Sequence, residues 1–268
     1  MFTTIKNLGV AFILLASLLA SRKWLQFKTI QKQDWLSLLL IGVIGGSIPF
    51  YLFFTGLSTT PAITGAVIQK TLVVWVALLA VPFLKERLSV KAIVAVIALF
   101  LANGLVGGFR GFKFSSGEFL ILLSTLFWAS ETILVKKILP RIDPQIAATA
   151  RMSIGGLTLL IISLITRPEP LSRLAILNPT QLAWVGLTTG LLFAYVTSWY
   201  QALKHASAIT VTAILVASTI VTNLLSAIFI THSLNASVII QSLIIITSLL
   251  VITKLSTNSL DRSSSPNL

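Results

Sequence analysis

Lys70, preceded by Gln69, sits about a third of the way into a long apolar run, and its chemistry calls for an explanation. A lysine at the centre of a membrane span costs about 2.5–3.5 kcal/mol on insertion scales, so it is expected to face a polar interior and not lipid. There its ammonium would bind the carboxylate or phosphate of a small solute. The plain alternative is a lysine that snorkels or is paired structurally. Glu131 is the only acid well inside a predicted span; it can take a coupling proton or pair with Lys70, or reach the interface near Lys136. Thr219, Thr222, Asn223 and Ser226 follow i, i+3, i+4, i+7 spacing and share one helix face, with Asn223 at about the depth of Lys70. Such a stripe either lines a cavity or hydrogen-bonds neighbouring helices.

Aromatic side chains could flank a bound solute. Tyr51, Tyr195, Trp128 and Trp199 are the candidates, although belt and packing roles are commoner in membrane proteins. The expected substrate-binding set is therefore Lys70, Gln69, Asn223, Thr219, Tyr51 and Tyr195, with Glu131 as the coupling residue. Arg151, one to two turns into its helix, reads as a cytoplasmic anchor, and Asn103 and Gln241 as interhelical hydrogen-bonding residues. No enzyme pattern is found: there is no phosphate loop, no paired carboxylates on one span and no nucleophile elbow. No cofactor and no metal is expected. Cysteine is absent, and His205 and His232 lie at predicted helix ends far from further ligands.

These residues must be positioned by membrane-spanning helices. The 268 residues are 56% hydrophobic and 10% charged, with a mean hydropathy of +0.96, too apolar to cover a soluble domain. Nine apolar runs are long enough to span: about residues 5–21, 34–56, 62–83, 90–108, 117–136, 145–166, 180–202, 207–230 and 235–253. The first, opened by Lys6 and closed by Ser21-Arg22, also fits a signal peptide. Polar breaks such as Lys85-Glu86-Arg87, Arg141-Ile142-Asp143-Pro144 and Arg167-Pro168-Glu169-Pro170 separate the runs, and residues 256–268 read as a disordered tail. The net charge of +13 is spread between the runs and forms no basic patch, so it is read as topogenic charge with anionic-lipid contact and not as nucleic-acid binding. Lys and Arg concentrate in alternate loops, at Arg22 to Lys32, Lys85 to Lys91, Lys136 to Arg141, Lys204, and Lys254 with Arg262. That places the C-terminus in the cytoplasm and the N-terminus outside.

Two stretches match at a nearly constant offset. Leu57, Ala62, Ile63, Thr64, Phe83 and Leu88 recur 146 positions later as Leu203, Ala208, Ile209, Thr210, Phe229 and Leu234. Gly42, Gly46 and Tyr51 recur 144 positions later as Gly186, Gly190 and Tyr195, and Lys6 pairs with Arg151. The matched spans run in opposite directions, an arrangement known in transporters whose site lies near the bilayer midplane. Gly42, Gly46, Gly104, Gly108, Gly186 and Gly190 suit close helix approach, a packing role. The expected fold is an all-α polytopic membrane protein of nine helices in two inverted repeats, four plus five, over residues 1–110 and 111–255. The partner of the span at 117–136 would precede Met1. A ten-helix protein with an upstream start is the preferred explanation, a nine-helix variant the other.

The pattern resembles the drug/metabolite transporter superfamily, specifically its EamA-like permeases. The stretch from Thr64-Gly65-Ala66-Val67 through Pro82-Phe83-Leu84-Lys85-Glu86-Arg87-Leu88-Ser89 is similar to the family's fourth helix and the turn ending it. Phe127-Trp128-Ala129 resembles the start of its sixth helix, and Arg151 the basic residue often found in its seventh. Val73 and Thr219 stand where the family often has a kinking proline, Lys85 replaces the usual glycine, and His232 the second repeat's glutamate. The resemblance implies ten helices, alternating access and movement of a small polar metabolite such as an amino acid, in the cell inner (plasma) membrane. The partners expected are a small-molecule substrate and the lipid bilayer, with a homodimer left open. A lipid flippase with a lateral opening lined by Lys70 is the rival within transport. A non-transporting scaffold subunit is the rival outside it.

Overall fold

The computed structural model describes residues 2–86, 88–104, 109, 111–166, 178–233 and 235–264, with side chains described as far as 255. Arg87, Gly108, Arg110, Arg167, Pro168, Glu169, Pro170, Arg173 and Leu234 lie outside the described residues. All regular structure among the described residues is helical: α1 (Phe2–Ala20), a 3₁₀ segment (Lys23–Thr29), α2 (Lys32–Gly46), α3 (Ile48–Leu57), α4 (Ala62–Lys70), α5 (Leu72–Leu84), α6 (Val90–Gly104), α7 (Ser116–Ile138), α8 (Pro144–Thr166), α9 (Pro179–His205), α10 (Ala208–Ala217), α11 (Thr219–Ser226), a π segment (Ala227–Thr231) and α12 (Ala236–Ser264). Eight stretches among them are long and apolar enough to cross a bilayer, with α2–α3, α4–α5 and α10 to the π segment each counting as one. The ninth expected run, 90–108, is described only as the shorter apolar helix α6. α12 continues to Ser264, into the stretch that composition reads as a disordered tail.

The chain divides into two compact units, Met1–Tyr51 with Leu134–His205, and Leu52–Ile133 with Ala206–Leu268. Each draws on both halves of the sequence.

In the first unit α8 packs against both α1 and α2, and α1 also packs on α9. Val10, Leu14, Leu38, Ile41, Ile146, Met152 and Tyr200 form its buried core. Glycine sets how closely α2 meets α8. A Cβ on Gly46 would lie 2.8 Å from the Gly155 Cα, and one on Gly42 2.5 Å from the Ile154 Cβ. The counterparts expected to behave alike do not: Gly186, Gly190 and Gly104 have open space where a Cβ would go. Close approach needs a small residue on the facing helix as well, and one helix's spacing does not reveal that.

The expected continuous span 34–56 is broken at Ser47, which leaves helical geometry (φ −131°, ψ −67°). The cause lies two residues on. Pro49 has no N–H, so the Gly45 carbonyl lacks its helical donor. The Arg151 guanidinium supplies one from α8, donating to Gly45 O at 3.2 Å, and lies 6.0 Å from the Phe50 ring centroid. Arg151, expected as a cytoplasmic anchor, is 4% exposed and acts as a buried clasp on the α2–α3 break.

The helix starts follow local chemistry. Ser115 and Glu118 form a reciprocal cap on α7, and Asn178 with Gln181 does the same on α9. Asp143 accepts from the Gln145 N–H at 2.8 Å, and Pro144 occupies the first position of α8, where its missing N–H costs nothing. Two ion pairs tie this end of the first unit together: Lys23 with Asp143 at 2.9 Å, and Arg141 with the buried Asp34 at 2.7 Å. Asp34's hydrogen bond and charge push the Arg141 pKa above its ordinary value. Asp34, Arg141 and Asp143, with residues of the 3₁₀ segment, line a cavity of about 80 Å³ there.

In the second unit α6 packs on α12, and α10 on α5 and α12. Gly56 and Gly117 meet at backbone distance, a Cβ on Gly117 lying 2.9 Å from Gly56 O. The turn after α5 carries out two tasks. Lys85 terminates α5 in the left-handed region at φ 56°, the conformation for which glycine is usual. Glu86 then accepts from the first N–H groups of α10, Ala208 at 2.7 Å and Ile209 at 3.4 Å, while the Ser207 hydroxyl accepts from Thr210 N–H. A carboxylate at a helix N-terminus is favourable both as acceptor and against the helix dipole. His232 ends the π segment in the same left-handed conformation, φ 48°, so it matches Lys85 in conformation and not Glu86.

Candidate functional site

Lys70 is the last residue of α4, and the helix changes character directly after it. Thr71 N–H bonds to Ile68 O at 3.0 Å, an i to i−3 contact, and the Thr71 hydroxyl donates to the same carbonyl at 2.6 Å. Hydroxyl back-bonding of this kind competes with the regular helical ladder and tightens the turn. Trp75 Nε1 donates to Thr71 Oγ1 at 3.0 Å and fixes that hydroxyl. The α10–α11 junction repeats the pattern: Ser218 N–H bonds to Leu215 O at 3.1 Å, and the Thr219 hydroxyl donates to Val216 O at 3.0 Å. Both interruptions arise from Ser and Thr, without proline, near the two positions where the family resemblance led one to look for a kink.

The two interruptions meet. Lys70 Nζ donates to Ser218 Oγ at 3.4 Å. Among the described residues no carboxylate pairs with Lys70, so the pairing with Glu131 that the sequence allowed as one alternative is not observed. Lys70 is half-buried, so its charge is partly withdrawn from solvent, while the one hydrogen bond of its ammonium among the described residues is to a neutral hydroxyl. An ammonium held this way has donors left for an anionic group.

The rest of the expected set separates by role. Gln69 is half-buried beside Lys70 on α4. Thr219 is buried, and its hydroxyl proton is shared between Val216 O and Asn103 Oδ1, the latter at 2.7 Å. Asn223 donates to Gln241 Oε1 at 2.7 Å. Asn103 and Gln241, expected to bond between helices, therefore bond to two residues expected to hold substrate. Gln241 is 1% exposed and its Nε2 has no hydrogen-bond partner among the described residues. Glu131 lies on α7 and is 2% exposed. Trp128 packs on Phe53 in the same unit, with centroids 5.6 Å apart. Tyr51 and Tyr195 belong to the first unit and are both exposed, Tyr195 stacking on Trp199 at 6.0 Å.

Sequence reasoning missed Ser218, Thr71 and Glu86. A hydroxyl next to the polar stripe was the available signal for Ser218. Glu86 stood out only as part of the family-like turn, and its partner, a backbone end 122 positions away, had no signal.

A broken, polar-lined helix pair carrying an unmatched cation invites comparison with known membrane proteins. The model of the EamA-like transporter family matches residues 1–107 and 115–254. The chain belongs to the EamA-like transporter family. Its relatives include an uncharacterized transporter of Methanothermobacter thermautotrophicus, 31% identical over 144 residues, which are 51% of this chain and 41% of that protein. Another is the uncharacterized transporter YyaM of Bacillus subtilis, 26% identical over 184 residues, 66% of this chain and 60% of that protein. The matches thus span about two fifths to three fifths of these relatives. A solved crystal structure of a protein superposes with a TM-score of 0.77 at 15% identity, over 98% of this chain and 88% of the other, which shows a shared fold. The EamA-like chain is a multi-pass helical membrane protein, and its assignment as a non-enzyme rests on the family.

Proposed function

We propose that this EamA-like protein is a secondary transporter that moves a small polar metabolite bearing an anionic group, such as an amino acid, by alternating access. The observation that carries the proposal is Lys70: a half-buried cation at a helix interruption, whose ammonium bonds among the described residues to Ser218 alone. Interrupted helices at substrate sites are a recurring transporter device, because loosened backbone and side chains can then serve the solute. Lys70 and Ser218 bind the anionic group in this reading. Gln69 supplies a further polar contact. Thr219 and Asn223 line the site only by releasing Asn103 and Gln241, which makes their exchange of partners part of the transport cycle. Tyr51 and Tyr195 remain as aromatic flanks proposed from the repeat pattern, and Glu131 as the buried acid that takes a coupling proton.

The proposal includes nine spans arranged as inverted repeats over residues 1–110 and 111–255, in the cell inner membrane with the C-terminus cytoplasmic. Several observations support it: the near-equivalent interruptions at Thr71 and Ser218, the shared left-handed ends at Lys85 and His232, and the nearly constant sequence offset. The test is flux into proteoliposomes across a panel of anionic, zwitterionic and cationic metabolites, comparing wild type with Lys70→Ala and Lys70→Arg. Flux of an anionic or zwitterionic solute that is lost in Lys70→Ala and partly kept in Lys70→Arg is expected. Unchanged flux in Lys70→Ala removes the site, and flux confined to cationic solutes removes the substrate class.

A further inference from the structure

The second unit carries a groove of about 840 Å³ that the transport reading does not use. Val74, Leu78, Val81 and Pro82 of α5 form one wall, and Ile93 and Ile97 of α6 the other. Leu78, Val81, Ile93 and Ile97 are exposed, so the groove opens outward along an apolar face. From Val74 to Lys85 it runs about 17 Å at helical rise, the length of a large part of an acyl chain. Its charged end holds Lys85 and Glu86. The two are not equivalent. Glu86 is engaged by the N-terminus of α10, so its charge is answered within the protein. Lys85 is exposed, its backbone is fixed in the left-handed conformation with its N–H donating to Ala80 O, and its ammonium makes no hydrogen bond or ion pair among the described residues.

We infer that this groove is a binding site for one anionic phospholipid of the surrounding bilayer, an acyl chain lying between α5 and α6 and the headgroup phosphate on the Lys85 ammonium. An apolar trough ending, among the described residues, in one ammonium without an ion pair matches a molecule that is apolar along its length and anionic at one end. The loop charge pattern places Lys85 on the cytoplasmic side, where anionic lipids concentrate. The site is separate from Lys70, which does not line the groove, and the lipid is resident and not cargo.

The experiment uses the full chain in bilayer discs of equal phosphatidylglycerol and phosphatidylcholine, released into native mass spectrometry, with wild type, Lys85→Gln and Ile97→Trp. Lys85→Gln keeps a non-glycine residue at the left-handed position, so it changes the charge and not the backbone demand. Wild type is expected to retain one phosphatidylglycerol in preference to phosphatidylcholine. Lys85→Gln should lose that preference by about fivefold, the scale of one basic side chain at an anionic surface. Ile97→Trp should retain neither lipid, because the groove is filled. Equal retention of the two lipids by wild type, or a preference unchanged in Lys85→Gln, overturns the inference. So does a protein dimer that takes the place of the lipid and is lost in Ile97→Trp.

Discussion

Replacing Gly46 by alanine tests the closest helix contact in the first unit. The added Cβ would sit 2.8 Å from Gly155 Cα and against the Arg151 carbonyl, all backbone. No side chain can rotate away, so α2 and α8 must part by roughly 1 Å to restore van der Waals separation. Three losses follow together: the Gly46–Gly155 contact, the seating of Gly42 on Ile154, and the Arg151–Gly45 bond. That bond, already 3.2 Å, would pass out of hydrogen-bond range. Overpacking of this kind costs about 1–3 kcal/mol, and the rigid neighbours place this case near 3 kcal/mol, or roughly 6–12 °C in Tm. Gly190→Ala is the matched control, since its Cβ would enter open space and should leave stability within about 0.5 kcal/mol. Thermal unfolding in detergent, followed by size-exclusion of the surviving folded fraction, gives both values. Equal shifts for Gly46→Ala and Gly190→Ala would refute the argument, because the sequence repeat treats the two as equivalent and only the facing helix distinguishes them.

Arg151→Met should destabilise by about 1.5–3 kcal/mol in wild type and by measurably less in a Pro49→Ala background, where residue 49 regains an N–H for Gly45; a thermal double-mutant cycle reads the difference. Thr219→Val removes the bond to Asn103 and should cost about 1 kcal/mol in Tm-based stability, while a vesicle flux assay shows whether the apparent KM moves with it. Glu86→Gln weakens the N-terminal end of α10 by about 0.3–1 kcal/mol, an effect that should shrink as salt is raised in the same unfolding assay. Arg141→Ala leaves Asp34 buried without that partner and should lower Tm. Because Asp34 raises the Arg141 pKa, the wild-type contribution is fully present below arginine's ordinary range and is lost only in strong alkali. The Tm difference between the two proteins should therefore be flat over about pH 6–9.

Apolar run length located the helices well, because lipid imposes one simple requirement on every span. The interruptions were legible to different degrees. Pro49 announces the break at Ser47, since a missing N–H has a fixed consequence four residues back, yet the apolar run conceals it. The interruptions at Thr71 and Ser218 rest on hydroxyl back-bonding, which Ser and Thr make optionally, so composition does not decide it. Lys70 stood out because an intramembrane charge is costly wherever it goes. Its partner Ser218 did not, being one hydroxyl among many. Thr219 and Asn223 show the limit of face arguments. Spacing put them on one side of a helix, but whether that side meets water or another amide depends on Asn103 and Gln241.

The interleaving of the compact units bears on how the chain is made. Gly46 leaves the ribosome about 110 residues before Gly155, an interval of roughly 5–20 s at ordinary elongation rates. For that time the bare glycine face of α2 rests against acyl chains, and the Gly45 carbonyl has no guanidinium to meet it. Early helices of this protein must therefore persist as separate inserted rods, and the first unit closes only after most of the polypeptide has been synthesised.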